Sequence, residues 1–141
     1  MEKVDITIIS TVKNEEGEDK TEFFTTGEYE KTETGYLFRY DENAGMGYEN
    51  CTVCVRADGQ SVTVERRGPA SSTMNIEKNV KHHSIYSTPY GDLTMGINTY
   101  EVDNGFGDDG GRLYFRYSID INSGFISENE MEITVRRSLH I

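Results

Sequence analysis

The chain has 141 residues and a net charge of −11, from 25 Asp and Glu against 14 Lys and Arg; 35% of its residues are hydrophobic. That length suits one domain, residues 1–141, around a single core, and an aromatic content of 11%, spread from Phe23 to Phe125, argues against a disordered chain. A field of this sign repels phosphate backbones and anionic lipid, so no nucleic acid and no membrane partner is expected.

The opening residues Met1-Glu2-Lys3-Val4-Asp5-Ile6 are not followed by the unbroken apolar stretch of a secretory signal, and no window reaches the length of a membrane span. Two cysteines, Cys51 and Cys54, make no disulfide framework. The expected location is cytoplasmic.

Alternation with period two recurs along the chain. Val4, Ile6, Ile8, Ser10 and Val12 share one face of a first strand, ended by the charged turn Asn14-Glu15-Glu16-Gly17-Glu18-Asp19. A second strand runs over residues 22–29, with Gly27 marking a bulge or a close backbone approach. The third puts Tyr36, Phe38 and Tyr40 on one face. After the loop Asn43-Ala44-Gly45-Met46-Gly47, a fourth alternates Cys51, Val53 and Val55 with Thr52, Cys54 and Arg56. Asp58-Gly59 is the strongest hairpin signal, since both residues accept positive φ, and it leads into Val62, Val64 and Arg66. Gly68-Pro69 ends that fifth strand. Met74 and Ile76 mark a sixth, residues 82–88 a seventh, and Leu93, Met95 and Ile97 an eighth.

Residues 103–111 hold four Gly and three Asp, which reads as a long exposed turn. Two clear strands follow: one with the stripe Leu113, Phe115, Tyr117, Ile119 and Ile121, the other with Met131, Ile133 and Val135. Helical periodicity is absent, and β-branched and aromatic residues fill the strand positions. About eight to ten strands joined in order by short turns predict an all-β fold. The expected form is an antiparallel, mostly up-and-down closed barrel, which removes sheet edges; a β-sandwich is the alternative.

Several blocks resemble the bacterial domain-of-unknown-function family typified by YwiB proteins. They are Tyr40-Asp41-Glu42 with Gly45-Met46-Gly47, Val62-Thr63-Val64-Glu65-Arg66-Arg67-Gly68, and Tyr86-Ser87-Thr88-Pro89-Tyr90-Gly91. The closing strands match as well, with Leu113-Tyr114-Phe115-Arg116-Tyr117 and Asn129-Glu130-Met131-Glu132-Ile133. The resemblance implies a lipocalin-like (calycin) barrel in a cytosolic setting. It implies no activity and transfers no catalytic residue.

The residue types that carry chemistry do not assemble into a reaction. Cys51 and Cys54 have zinc-knuckle spacing, but residues three apart in a strand face opposite ways. His82 and His83 diverge for the same reason. The 103–111 loop has the oxygen density of a calcium site yet lacks the glycine and glutamate of an EF-hand, since Asp108 and Tyr114 stand at those positions. Ser84 beside two histidines is not a triad. No catalytic group, metal or cofactor is assigned. The arginine pairs Arg66-Arg67 and Arg136-Arg137 are not expected to form a basic patch in so acidic a chain.

One constellation stands out. Arg66 continues the inward parity of Val62 and Val64, and Glu42 that of Tyr36, Phe38 and Tyr40. A buried arginine is costly unless paired, so Glu42 is its expected partner, with Tyr40, Tyr117, His82 and Thr88 as lining residues. Arg66 either addresses a small anionic ligand inside the barrel or forms a salt bridge that fixes strand register. A protein–protein module using outward Ile9, Leu37, Ile85, Tyr100 and Tyr114 is the alternative function; enzymatic activity comes last. The sequence leaves the oligomeric state open.

Overall fold

A computed structural model describes residues 2–42, 50–69, 71–121 and 124–138. Ten strands fill it: β1 (Glu2–Asn14), β2 (Gly17–Lys31), β3 (Tyr36–Asp41), β4 (Thr52–Asp58), β5 (Ser61–Arg67), β6 (Ser72–Glu77), β7 (Lys81–Thr88), β8 (Gly91–Asn104), β9 (Gly110–Ile121) and β10 (Gly124–Arg137). Each pairs antiparallel with its neighbours in sequence, and β1 pairs with β10 from Val4↔Arg137 to Lys13↔Glu128. The up-and-down closed barrel expected from the alternation is the observed fold, and the sandwich is excluded.

The inward positions make one core. Val4, Ile6 and Ile8 of β1 pack with Phe38, Val53, Val55, Val62, Ile76, Ile97, Leu113, Phe115, Ile133 and Val135. Phe38 stacks near Tyr40 at 6.1 Å between ring centroids, and Phe115 near Tyr117 at 5.8 Å. Each fully buried aliphatic or aromatic side chain contributes roughly 1.5–3 kcal/mol. Outward positions carry the charge, partly as ion pairs such as Arg112–Glu132 and Arg116–Glu128.

Two local expectations shift. The β4–β5 hairpin turns on Gly59 and Gln60, because Asp58 still pairs with Ser61. Gly59 alone has positive φ (63°), so this is a turn with glycine at its first central position. Asp58 is freed to accept a hydrogen bond from the Thr34 hydroxyl at 2.9 Å. Strand β8 runs well past Ile97, because the ladder to β9 slips between Thr99 and Glu101 and Val102 then faces inward again. At Gly27 the structure selects close approach over a bulge. The β1–β2 register is unbroken, and a Cβ there would stand 2.1 Å from the Arg39 carbonyl oxygen.

The Asp- and Gly-rich turn keeps its aspartates in solvent, as its composition suggests, but its backbone and Phe106 do more than that. It folds across one end of the barrel. Phe106 sets its ring edge-on to Tyr29 at 5.7 Å and to Phe38 at 5.9 Å. The Tyr29 hydroxyl donates to the Gly107 carbonyl at 2.8 Å, and the Tyr36 hydroxyl to Asp108 at 2.6 Å. Gly110 takes φ of 101°, and a Cβ on it would lie 2.2 Å from the Val135 carbonyl oxygen. The glycines therefore serve backbone packing. This capped end also carries the β2–β3, β4–β5 and β6–β7 turns; the opposite, loop end carries the odd-numbered connections of the meander, including those after β3, β5 and β7.

Phe106→Ala is expected to cost about 2 kcal/mol, toward the low end for a buried aromatic because Phe106 is only partly covered. Phe24→Ala, at a side chain 72% exposed, is expected to cost well under about 1 kcal/mol. Equilibrium urea unfolding measures both.

Candidate ligand site at the loop end of the barrel

Strand β5 holds its register to both neighbours without a bulge, and Arg66 lies between Val53 of β4 and Ser72 of β6. Since Val53 is buried, the parity read from the sequence holds and Arg66 points inward. Its Nε donates to Glu42 Oε1 at 2.6 Å and its Nη2 to Oε2 at 3.2 Å, a two-pronged fit of guanidinium to carboxylate. Glu42 comes directly after β3 and is anchored there by its backbone N–H, which donates to the Cys51 carbonyl at 2.8 Å. The two side chains differ in exposure: Glu42 is 4% exposed and Arg66 20%. The carboxylate is enclosed, and the guanidinium reaches toward solvent.

Tyr40 and Tyr117 join this pair. Burial pushes both phenols up to about 12; the Glu42 carboxylate adds to the rise at Tyr40, and Arg66 opposes it at both. Both therefore keep their protons through the physiological range and are available as donors. Among the described residues, neither hydroxyl has a hydrogen-bond acceptor. Four of the six residues singled out from the sequence thus converge. His82 does not: it is the second residue of β7, near the capped end, with Nε2 3.0 Å from Glu77 Oε2. Arg66 lies near the far end of its strand, and the alternating strand directions separate the two. Thr88 pairs with Gly91 through the backbone, but its side chain lies outside the described residues.

Further polar groups lie on the interior face without having been singled out. Thr99 and Asn129 flank Tyr117 across β8, β9 and β10. Asn129 Nδ2 donates to Ser127 Oγ at 3.0 Å, whereas Thr99 Oγ1 is buried with no partner among the described residues. Alternation with Ile133 and Val135 could have flagged Asn129; Thr99 needed the register.

Other sequence features resolve as structure. Cys51 is buried and Cys54 faces outward, and neither is in a disulfide. Asp103, Asp108 and Asp109 pair separately with Arg112, Lys31 and Arg137, and no group of three metal-ligating side chains occurs among the described residues. Of the outward apolar residues, Leu37 is buried, Tyr100 and Tyr114 lie under Arg116 and Arg112 at 5.3 Å, and Ile85 is 61% exposed.

The barrel wall is uneven along β6. Among the described residues, β6 and β7 share one register pair, Ser72↔Tyr86, next to Arg66, against six between β5 and β6. A groove of about 540 Å³ runs along this seam on the outer face, lined mostly by the outward residues Glu65, Arg67, Thr73, Asn75, His83 and Ile85, together with Arg66, Ser71 and Ser72. No described helix is long and apolar enough to cross a membrane.

A family model for a domain of unknown function, DUF1934, matches residues 6–133. The crystal structure of the ywiB protein from Bacillus subtilis superposes with a TM-score of 0.85 at 16% identity, covering 97% of this chain and 92% of that one. At that identity the likeness shows the barrel fold alone. No curated protein matches. The blocks that suggested the YwiB-like family all lie within the matched span.

Arg66→Leu alone leaves an enclosed carboxylate without its partner and is expected to lower stability by about 2–4 kcal/mol, whereas Glu42→Leu with Arg66→Leu recovers most of that loss; urea unfolding of the three proteins measures it. Stability is also expected to fall as pH rises from 10 toward 12. In that window unfolded tyrosines release protons that Tyr40 and Tyr117 retain, so the unfolded state is favoured. Phenolate absorbance followed alongside circular dichroism should show these two tyrosines ionising only with unfolding.

Proposed function

The chain belongs to the DUF1934 family, a domain of unknown function, and we propose that its barrel is a cytosolic binding protein that takes a small anionic molecule at the loop end. The observation that carries this reading is the inward Arg66 at the loop end, whose guanidinium stays partly exposed while the enclosed Glu42 carboxylate holds it in one orientation. A fixed planar fork at the boundary between core and water is suited to a carboxylate or similar oxyanion. Protonated Tyr40 and Tyr117, and the unpartnered Thr99 hydroxyl, add neutral hydrogen-bonding groups on the interior side. Ligands held in the mouths of up-and-down barrels, as in lipocalins, give the reading an analogy but no more. The acidic balance and two cysteines not joined in a disulfide support the cytosolic part.

The competing reading gives Arg66 and Glu42 a purely structural task, tying β5 to the end of β3. The reading as an outer-face interaction module is weaker, because Leu37 is buried and arginines lie over one face of Tyr100 and Tyr114, although Tyr100 stays 48% exposed. A titration of the isotope-labelled protein with malonate, succinate and acetate distinguishes them. Saturable amide shifts at Arg66, Ser72 and Tyr117, absent from the Glu42→Leu/Arg66→Leu protein, are expected. Unchanged spectra, or equal shifts in the double variant, would leave the pair with a structural task only.

A further inference from the structure

In the sequence, only the adjacent pairs Arg66-Arg67 and Arg136-Arg137 stand out as candidate basic patches. The register brings together arginines distant in sequence on the outer face of β3, β4 and β5. Arg39 lies across from Cys54, and Cys54 across from Glu65; one row away, Arg56 lies between Leu37 and Thr63; on the other side, Thr52 lies across from Arg67. These side chains enclose a pocket of about 240 Å³ whose lining is Arg39, Thr52, Cys54, Arg56, Glu65 and Arg67. Three guanidiniums therefore face one carboxylate within it.

Those guanidiniums are not equally occupied. Arg66, Arg67, Arg112, Arg116 and Arg137 all form ion pairs. Arg39, Arg56 and Arg136 form none among the described residues. In a chain with 25 acidic residues, two of those three line the same pocket. Glu65 is committed to Arg67 through the Nε–Oε1 contact, and Asp41 at the pocket's margin accepts the Thr52 hydroxyl at 2.9 Å. Glu28 stands opposite Arg39 on β2 without forming an ion pair with it. Within the lining itself, the positive charge left without an ion pair is thus carried by two planar forks on adjacent strands.

We propose that this outer pocket binds the phosphate group of a small molecule, at a site separate from the loop-end pair. Two guanidiniums converging on one concavity match the several oxygens of a phosphate ester or diphosphate. The pocket volume suits a group of that size. A long polyanion is disfavoured, because its flanking phosphates would meet the surrounding field of a chain with net charge −11.

The test uses the full chain and inorganic pyrophosphate, titrated by calorimetry and by amide chemical shift at constant ionic strength. Saturable binding with shifts centred on Arg39, Cys54, Arg56 and Arg67 is expected. Losing one charge-assisted contact in Arg56→Gln or Arg39→Gln should weaken it about tenfold or more. Arg56→Lys should recover only part of the loss, since it keeps the charge without the fork. Arg136→Gln, which removes an unpaired arginine elsewhere, should change the affinity by no more than about twofold. The Glu42→Leu/Arg66→Leu protein should bind as the unaltered chain does, which separates this site from the loop-end reading. Thermal unfolding midpoints of the exposed-site variants should match the unaltered chain, so that lost binding is not lost folding. Absent saturation, equal weakening by Arg136→Gln, or tighter binding of a single-stranded oligonucleotide than of pyrophosphate would overturn the proposal.

Discussion

A meander of ten strands has two edges, and the rest of this molecule depends on their meeting. The β1–β10 ladder joins residues near the two ends of the chain over ten register pairs. Without it, one face of the sheet would expose Val4, Ile6, Ile8, Ile133 and Val135, and two rows of backbone donors and acceptors would lie open. Closure turns that face into a core and forces alternate side chains to be lining or surface. A polar residue of inward parity must then find a partner inside. Arg66 and Glu42 are where that demand is greatest, and they meet it with each other.

The wall closes unequally. The capped end is sealed by Phe106 against Tyr29 and Phe38, with hydrogen bonds from Tyr29 and Tyr36 holding the hairpin down. The other end has the ion pair, two phenols and Thr99 in place of a second aromatic seal. The β6–β7 seam is paired at that polar end, at Ser72↔Tyr86, and thins toward the plug. An apolar seal and a polar interior are therefore set at opposite ends of one axis, which is the physical basis for seeking a guest near Arg66. The arginine pocket on β3–β5 lies on the other side of the same wall and depends on a different property, the alignment of outward residues across strands.

Much of this was legible in the sequence, for reasons that can be traced to particular residues. Period-two alternation is a local signal, so the stripe from Leu113 to Ile121 and the inward parity of Arg66 could be read without knowing any partner strand. The Arg66–Glu42 pairing followed because a charge at an inward position demands a counter-charge. His82 was misjudged as a neighbour because parity says which face a residue takes, not how far along the barrel it sits. The Asp58-Gly59 signal was off by one residue since Asp58 still had a cross-strand partner. Phe106 escaped notice because its glycine-rich surroundings read as solvent-exposed, when those glycines permit close backbone contact. Arg39, Arg56 and Arg67 are too far apart in sequence to look like a cluster; only the register brings them together.

The long reach of the β1–β10 ladder also has a kinetic consequence. Val4 cannot find Arg137 until nearly the whole chain exists, so β1 must wait with one edge unsatisfied while β2 to β9 assemble. Topologies dominated by such distant pairings fold slowly and are open to intermolecular strand pairing in the interval. During that wait, mutual repulsion between chains of net charge −11 keeps unfinished barrels apart. The acidity that gives the finished surface its character thus has an earlier task, as a colloidal safeguard for a sheet that can close only when its last strand arrives.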